Sequence, residues 1–418
     1  MAEIREHCNV IVSQEQSERV SRWLWRVAIV LAVFFCFVTS YYGWVHSPHI
    51  EGLRQVYPSW YYGNYVIFDG YGPYSQWIAG YLAGKPRAAE HLAEFLRYDL
   101  HAHTPFYPFL CALVILVVKN VVLAHLVVTA AASGLALVLF AALIRILFPH
   151  LSYAGRHIAL LGFLLHPGVT SSLLRPMPDS LALALLCGVW VLLARFRQAH
   201  KARYLVGTAA LVILASLTKT VLVLLIPTVG LWLFVGMQLS ASWARHRRLV
   251  RVGAGGVILA VATVAILWMS LYDAGSFRFL KRALDEAFAI IARPVALAPH
   301  MPAFCLFLVL SFGLYPVAMF LGRYRDTSAP KEHGALHWLW VFVYLLQRVF
   351  FVGVNLAYGR ARYTMPLAPS VIVLSANSLD ALWRRGGWWR VLALAPALFH
   401  LAIWCAYTMT LSGNMGGK

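Results

Sequence analysis

Acidic side chains are scarce in this 418-residue chain, where sixteen Asp and Glu face thirty-five Lys and Arg for a formal charge of +19. Charge of either sign is itself rare, at 12% of positions, while hydrophobic residues fill 61%. A soluble domain carries roughly a quarter charged residues, so this composition excludes a water-soluble fold: too much apolar surface would be left facing water. In a soluble protein the basic excess would point to nucleic acid. Here the cations sit between hydrophobic runs, where they serve as cytoplasmic anchors facing anionic lipid, so membrane lipids and not nucleic acid are the expected partners. The six cysteines, Cys8, Cys36, Cys111, Cys187, Cys305 and Cys405, are scattered, and no Cys-x-x-Cys pair occurs. That spacing indicates neither a disulfide framework nor a zinc cluster. Heptads, repeats of 20–50 residues and low-complexity tracts are also missing, and the two halves lack the similarity that many secondary transporters carry. The first hydrophobic run, 23–45, has no small-residue cleavage site and exceeds the roughly 7–15 residues of a signal-peptide core, so it reads as a retained first span.

What the chain has in abundance is apolar runs long enough to cross a bilayer. They lie near 23–45, 121–147, 157–174, 180–196, 203–217, 220–237, 250–271, 302–322, 335–357, 363–381 and 388–411. The expectation is an all-α polytopic membrane protein of about 11 transmembrane helices forming a single integral membrane domain over 1–418. The stretch 105–118 is short for a span and reads as a re-entrant or interfacial helix. If it does not cross, the clusters Arg195/Arg197/Lys201/Arg203, Arg245/Arg247/Arg248/Arg251 and Arg384/Arg385/Arg390 all face the cytoplasm, as the positive-inside tendency requires. The first extracytoplasmic loop is then 46–104, with juxtamembrane helices, and the second is 272–301, with an amphipathic surface helix near 277–291. Lys119, the stretch 175–179, Lys219 and the stretch 360–363 fall on that same outer face.

Four motifs stand on this face. The first loop holds Phe68-Asp69-Gly70-Tyr71-Gly72-Pro73-Tyr74, then Ile78-Ala79-Gly80-Tyr81, and closes on His103-Thr104-Pro105-Phe106-Tyr107-Pro108. Arg175-Pro176-Met177-Pro178-Asp179-Ser180 opens a helix, Leu217-Thr218-Lys219-Thr220 separates two helices, and Ala361-Arg362-Tyr363-Thr364-Met365-Pro366-Leu367 opens a late helix. In order and spacing, over most of 60–380, this set resembles the GT-C class of membrane glycosyltransferases. The class includes protein O-mannosyltransferases, lipid A aminoarabinose transferases and the mannosyltransferases of glycolipid anchors. The Asp-Gly form with Ile-Ala and Gly-Tyr nearby looks most like the last of these.

The resemblance implies transfer of a sugar, a hexose such as mannose, from a polyprenyl-phosphate donor to an acceptor hydroxyl on a lipid, glycolipid or glycan. It implies an inverting reaction with Asp69 as general base. The chemistry needs a carboxylate that removes the proton of a weakly nucleophilic alcohol, and cations or oriented donors where charge grows on the leaving phosphate. Lys219, Arg360 and Arg362 are the right types on the right face, with Tyr71, Tyr74, His103, Asp179 and Tyr363 as further substrate-binding candidates. Gly70 stands where many members carry a second acid, so no metal ligand is assigned; a divalent metal stays open and no other cofactor is implied. The implied location is the bacterial inner (plasma) membrane, with the site on its periplasmic or outer face.

Each candidate has a plainer role beside the functional one. Asp-Gly is an ordinary turn signal, Asp179 suits the positive end of a helix, and Lys219 can snorkel to the interface. His103 fits a local turn. The first-loop aromatics, Tyr71 and Tyr74 among them, match an interfacial belt. Arg360 and Arg362 can likewise anchor at the interface, yet two outward cations at a helix mouth run against the positive-inside trend, which phosphate binding would explain. Arg348 lies inside the run 335–357, where a charge is costly and marks a function or a buried partner; it is expected to face the bundle interior. Two other functions remain open on the sequence: a transporter or flippase of a lipid-linked or anionic substrate, for which Arg348 speaks, and a non-catalytic subunit of an envelope glycan assembly complex.

Overall fold

The computed structural model describes residues 71–92, 104–173, 177–239, 301–322, 331–350 and 361–413, with Gly255 and single positions between 23 and 38. Among these residues there is no strand. The helices are α1 (Tyr71–Leu82), α2 (Phe106–Val118), α3 (Val121–Leu147), α4 (Tyr153–Leu165), α5 (Pro167–Leu173), α6 (Asp179–Ala199), α7 (Ala202–Ser216), α8 (Leu225–Leu239), α9 (Met301–Phe312), α10 (Tyr315–Leu321), α11 (Lys331–Phe350), α12 (Ala368–Arg384) and α13 (Trp389–Gly413). Short 3-10 helices, Thr220–Leu224 and Ala361–Leu367, precede α8 and α12.

Helix α3 shows how local sequence sets these bounds. Asn120 accepts from the Leu123 amide at 3.0 Å, which starts the helix by satisfying one of its free N–H groups. Arg145 sits in the last turn, where a cation meets the negative end. At 27 residues α3 is roughly 40 Å long, more than a bilayer core requires. Helix α6 begins after Pro178 and stops at His200, whose left-handed φ of 50° turns the chain.

Small residues let the central helices meet. A Cβ on Gly188 of α6 would lie 2.8 Å from Leu211 of α7 and 3.7 Å from Leu139 of α3, so α6 is held between both. The Phe140 and Phe163 rings stack at 4.2 Å and join α3 to α4. Gly155 of α4 faces Asp380 of α12, and a Cβ there would come within 2.4 Å of the carboxylate.

Four helical stretches are long and apolar enough to cross a membrane: Val121–Leu147, Asp179–Ala199, Tyr363–Arg384 and Trp389–Ala406. A fifth arises if Phe304–Phe312 and Tyr315–Leu321, bent by 53°, count as one span. The described residues therefore account for four or five of the about eleven spans expected. The other runs divide for local reasons. The run 157–174 becomes α4 and α5 because Pro167 follows His166, whose ψ of 128° is extended. The run 302–322 breaks at Gly313, which takes φ 48°. Helices α2 and α7 and the stretch Val221–Phe234 are apolar but short, and 250–271 lies outside the described residues apart from Gly255. The described positions of the first run are helical, and Trp25 meets His157 edge to face at 5.2 Å. The buried apolar side chains of the described helices form one large cluster and a small second one of Tyr74, Ile78, Ala79 and Ala112 between α1 and α2.

At one end of the bundle polar groups tie helix ends together. Ser152 caps α4 through the Gly155 amide at 3.0 Å, and its own hydroxyl and amide donate to Asp380. Arg384 pairs with Asp380 at 2.8 Å and donates to the His150 carbonyl at 2.9 Å. Arg385 reaches the Leu321 carbonyl, Arg156 the Pro149 carbonyl, and Gln198 the Ile146 carbonyl. The opposite end carries the motifs.

Candidate functional site

Lys219 stands in the turn after α7, where helical hydrogen bonding ends and the backbone becomes extended at φ −152°. The turn is bound to the start of α2: the Thr104 hydroxyl donates to the Thr218 carbonyl and the Phe106 amide to the Leu217 carbonyl at 3.0 Å. Asp179 occupies the first turn of α6, 40 residues earlier. Lys219 Nζ donates to Asp179 Oδ1 in an ion pair whose side chains are 17% and 5% exposed. The Asp179 carboxylate thus meets both the positive end of α6 and the Lys219 ammonium.

Tyr363 completes the group from the 3-10 helix ahead of α12. Pro366 and Pro369 disfavour a regular helix through this stretch, so anchors from outside fix its path. The Trp340 indole N–H donates to the Pro366 carbonyl at 2.7 Å, and the Tyr344 hydroxyl to the Tyr363 carbonyl at 2.6 Å. From the other side, Gly168 of α5 comes so close that an added Cβ would lie 2.3 Å from the Met365 nitrogen. The Tyr363 ring is then held with Lys219 Nζ 5.8 Å from its centroid and Arg348 Cζ at 4.7 Å, within the range of attraction between a cation and an aromatic face.

Arg348, in the last turn of α11, faces the interior and is only 2% exposed. Its guanidinium donates to the Tyr344 hydroxyl and lies 4.9 Å from the Tyr344 ring and 5.8 Å from the Phe307 ring. Its Nε has no hydrogen-bond partner among the described residues. Among the described residues two cations and one carboxylate therefore share an aromatic cradle, with one positive charge in excess. Such a set suits a small anion, with the planar guanidinium providing directed donors. It does not suit a metal cation, and among the described residues no group of three or more His, Cys, Asp or Glu could hold one.

Tyr71 and Tyr74 are buried in a separate contact of α1 with α2 and α3. The Tyr71 ring meets Tyr107 edge to face at 5.6 Å. Ser75 donates to the Tyr71 carbonyl and so accepts from His125 Nε2 at 3.1 Å, which leaves His125 Nδ1 to accept from the Tyr107 hydroxyl at 3.2 Å. Tyr107 in turn meets Thr129 at 3.1 Å. Burial raises the Tyr74 phenol above its ordinary value, so this ring stays neutral. The two tyrosines brace the first turn of α1.

Of the residues singled out on the sequence, Asp179, Lys219 and Tyr363 come together, and the segment from Thr104 joins them through the Lys219 turn. Asp69, His103 and Arg360 lie outside the described residues, as does the side chain of Arg362 in the 3-10 helix; so do most of 46–104 and nearly all of 272–301. Sequence reasoning placed Arg348 inward but named no partner, and it passed over Tyr344, Gly168 and His125. A tyrosine four residues before a buried arginine, and a histidine inside an apolar run, were the signals available for two of these. No protein-family model and no curated protein matches the chain.

Proposed function

We propose that this chain is an integral membrane glycosyltransferase of the GT-C type that takes a sugar, a hexose such as mannose, from a polyprenyl-phosphate donor. The observation that carries the reading is a pair of cations, the partly buried Lys219 and the buried Arg348, both near the Tyr363 ring, with Asp179 at the helix end the one carboxylate beside them among the described residues. A lipid-linked phosphate is an anion delivered from within the bilayer, and this site offers charge, directed N–H groups and aromatic walls at the mouth of a helical bundle. Asp69 stands two residues before α1 and acts as the base that accepts the acceptor's proton during attack at the anomeric carbon, with inversion because one carboxylate supports one displacement. Arg360 and Arg362, three and one positions before Tyr363 in the sequence, are assigned to the same phosphate. The acceptor is a lipid, glycolipid or glycan. The arginine-rich end, with Arg195, Arg197, Arg203, Arg384 and Arg385, faces the cytoplasm, which puts the site on the periplasmic or outer face of a bacterial inner membrane.

The test is sugar transfer from radiolabelled polyprenyl-phosphate hexoses by purified protein in lipid nanodiscs. Asp69→Asn is expected to lower the rate by roughly 10²–10⁴-fold, the usual worth of a positioned base. Undiminished transfer in that variant removes Asp69 from the chemistry.

A transporter or flippase of the same lipid is the second reading, favoured by the buried Arg348 and by the broken pairs α4/α5 and α9/α10, since discontinuous helices around a buried charge are a device of transporters. Proteoliposomes that move a fluorescent polyprenyl phosphate between leaflets, while transferring no sugar to any acceptor, would decide for it.

A further inference from the structure

His166 lies at the junction of α4 and α5 and is fully buried. Its protonation pattern follows from its partners. The Gly168 amide donates to Nδ1 at 3.1 Å, so Nδ1 carries no proton. The proton is on Nε2, which faces the Ser311 carbonyl at 3.1 Å and donates to it. Ser311 is in the last turn of α9, where carbonyls lose their helical partners. One imidazole thus spans two broken helices and satisfies a backbone group at each.

Both partners lead directly to the cationic site. On one side Gly168 abuts the 3-10 helix, where an added Cβ would meet Met365 and Thr364, the two residues after Tyr363. On the other, the Ser311 hydroxyl donates to the Phe307 carbonyl at 2.7 Å, one turn earlier on α9, and the Phe307 ring lies beneath the Arg348 guanidinium. Phe307 and Tyr363 are, with Tyr344, the aromatic walls on which Arg348 rests, and they are the two that lie on elements other than its own. Resting on the anion-site reading above, we infer that His166 is a positioning residue: it fixes the spacing of those two walls and thereby the aim of the guanidinium toward a phosphate. It touches no substrate itself.

The replacements separate the two halves of the joint. His166→Gln keeps an N–H where Nε2 stood and so keeps the bond to Ser311; His166→Asn keeps only an acceptor for Gly168; His166→Leu keeps neither. The probe is farnesyl phosphate, a short polyprenyl phosphate, bound to the full chain in nanodiscs. Affinity is expected within about threefold of wild type for Gln and weaker by roughly tenfold or more for Leu, with Asn between, the scale of one hydrogen bond to a charged group. A purely structural role predicts instead that affinity follows melting temperature, with Gln and Asn alike, and that result overturns the inference. Arg348→Gln separates this claim from the reading beneath it. If Arg348→Gln abolishes binding while His166→Leu binds like wild type, only the positioning role fails. If Arg348→Gln binds normally, the anion site fails, and the joint is then read by cross-linking Phe307→Cys to Tyr363→Cys: a rate that drops with His166→Leu and returns with His166→Gln keeps the joint, and an unchanged rate discards it. Should His166→Leu not fold, Gly168→Ala, which pushes the 3-10 helix from the α5 side, is expected to weaken farnesyl phosphate in its place; wild-type affinity there counts against the inference.

Discussion

Arg348 and Arg384 each sit in the last turn of a helix, at opposite ends of the bundle, with side chains in contrasting surroundings. Arg384 is 55% exposed, bound to Asp380 one turn earlier and to a carbonyl of the neighbouring helix end. Arg348 is 2% exposed, its Nε bare, and it meets two tyrosines and a phenylalanine instead of an acid among the described residues. An exposed pair such as that of Arg384 contributes little, about 0.2–1 kcal/mol, because water and ions compete for both partners. A buried cation with no acid among the described residues beside it is costly to fold around, and an anionic ligand would offset that cost. The arginine-rich end spends its charges on closing helix termini, and the motif end stores one.

Experiments that attack this contrast are ordered by the size of effect they should give. The largest comes from splitting the buried pair: Lys219→Met leaves Asp179 uncompensated and should lower unfolding stability in mixed micelles by about 3–5 kcal/mol, with the Asp179→Asn/Lys219→Met double variant recovering much of the loss. Next, Arg348→Gln should weaken farnesyl phosphate by roughly 10–100-fold, whereas Arg385→Gln leaves it unchanged; equal losses in both would erase the distinction between the ends. Gly155→Ala should cost about 1–3 kcal/mol, because its Cβ would press on the Asp380 carboxylate, with ligand affinity unaltered. The smallest effect belongs to Arg384→Ala, at or below about 1 kcal/mol by the same unfolding measurement.

Much of the frame was legible in the residues. The stretch 121–147 is uninterrupted by proline or interior charge and forms one helix with those bounds. The inward direction of Arg348 followed from the cost of a charge at that depth. The division at His166-Pro167 was also written in the chain, since the residue before proline avoids helical angles, yet hydrophobicity alone ran across it. What local pattern cannot carry is the meeting of Asp179, Lys219, Tyr363 and Arg348: they are far apart along the chain and belong to four elements, so only the packing of α5, α6, α7 and α11 puts them together. Gly168 illustrates the limit, because its need for a missing side chain arises from Met365, nearly 200 positions away.

Tyr344 carries a consequence out of proportion to its size. Its one oxygen accepts from Arg348 and donates to the Tyr363 carbonyl, so a single atom is gripped by both the guanidinium and the neighbouring main chain. Exchange for phenylalanine, among the mildest of aromatic replacements on an open surface, would here strip a proton acceptor and a proton donor in a single stroke and let two elements drift independently.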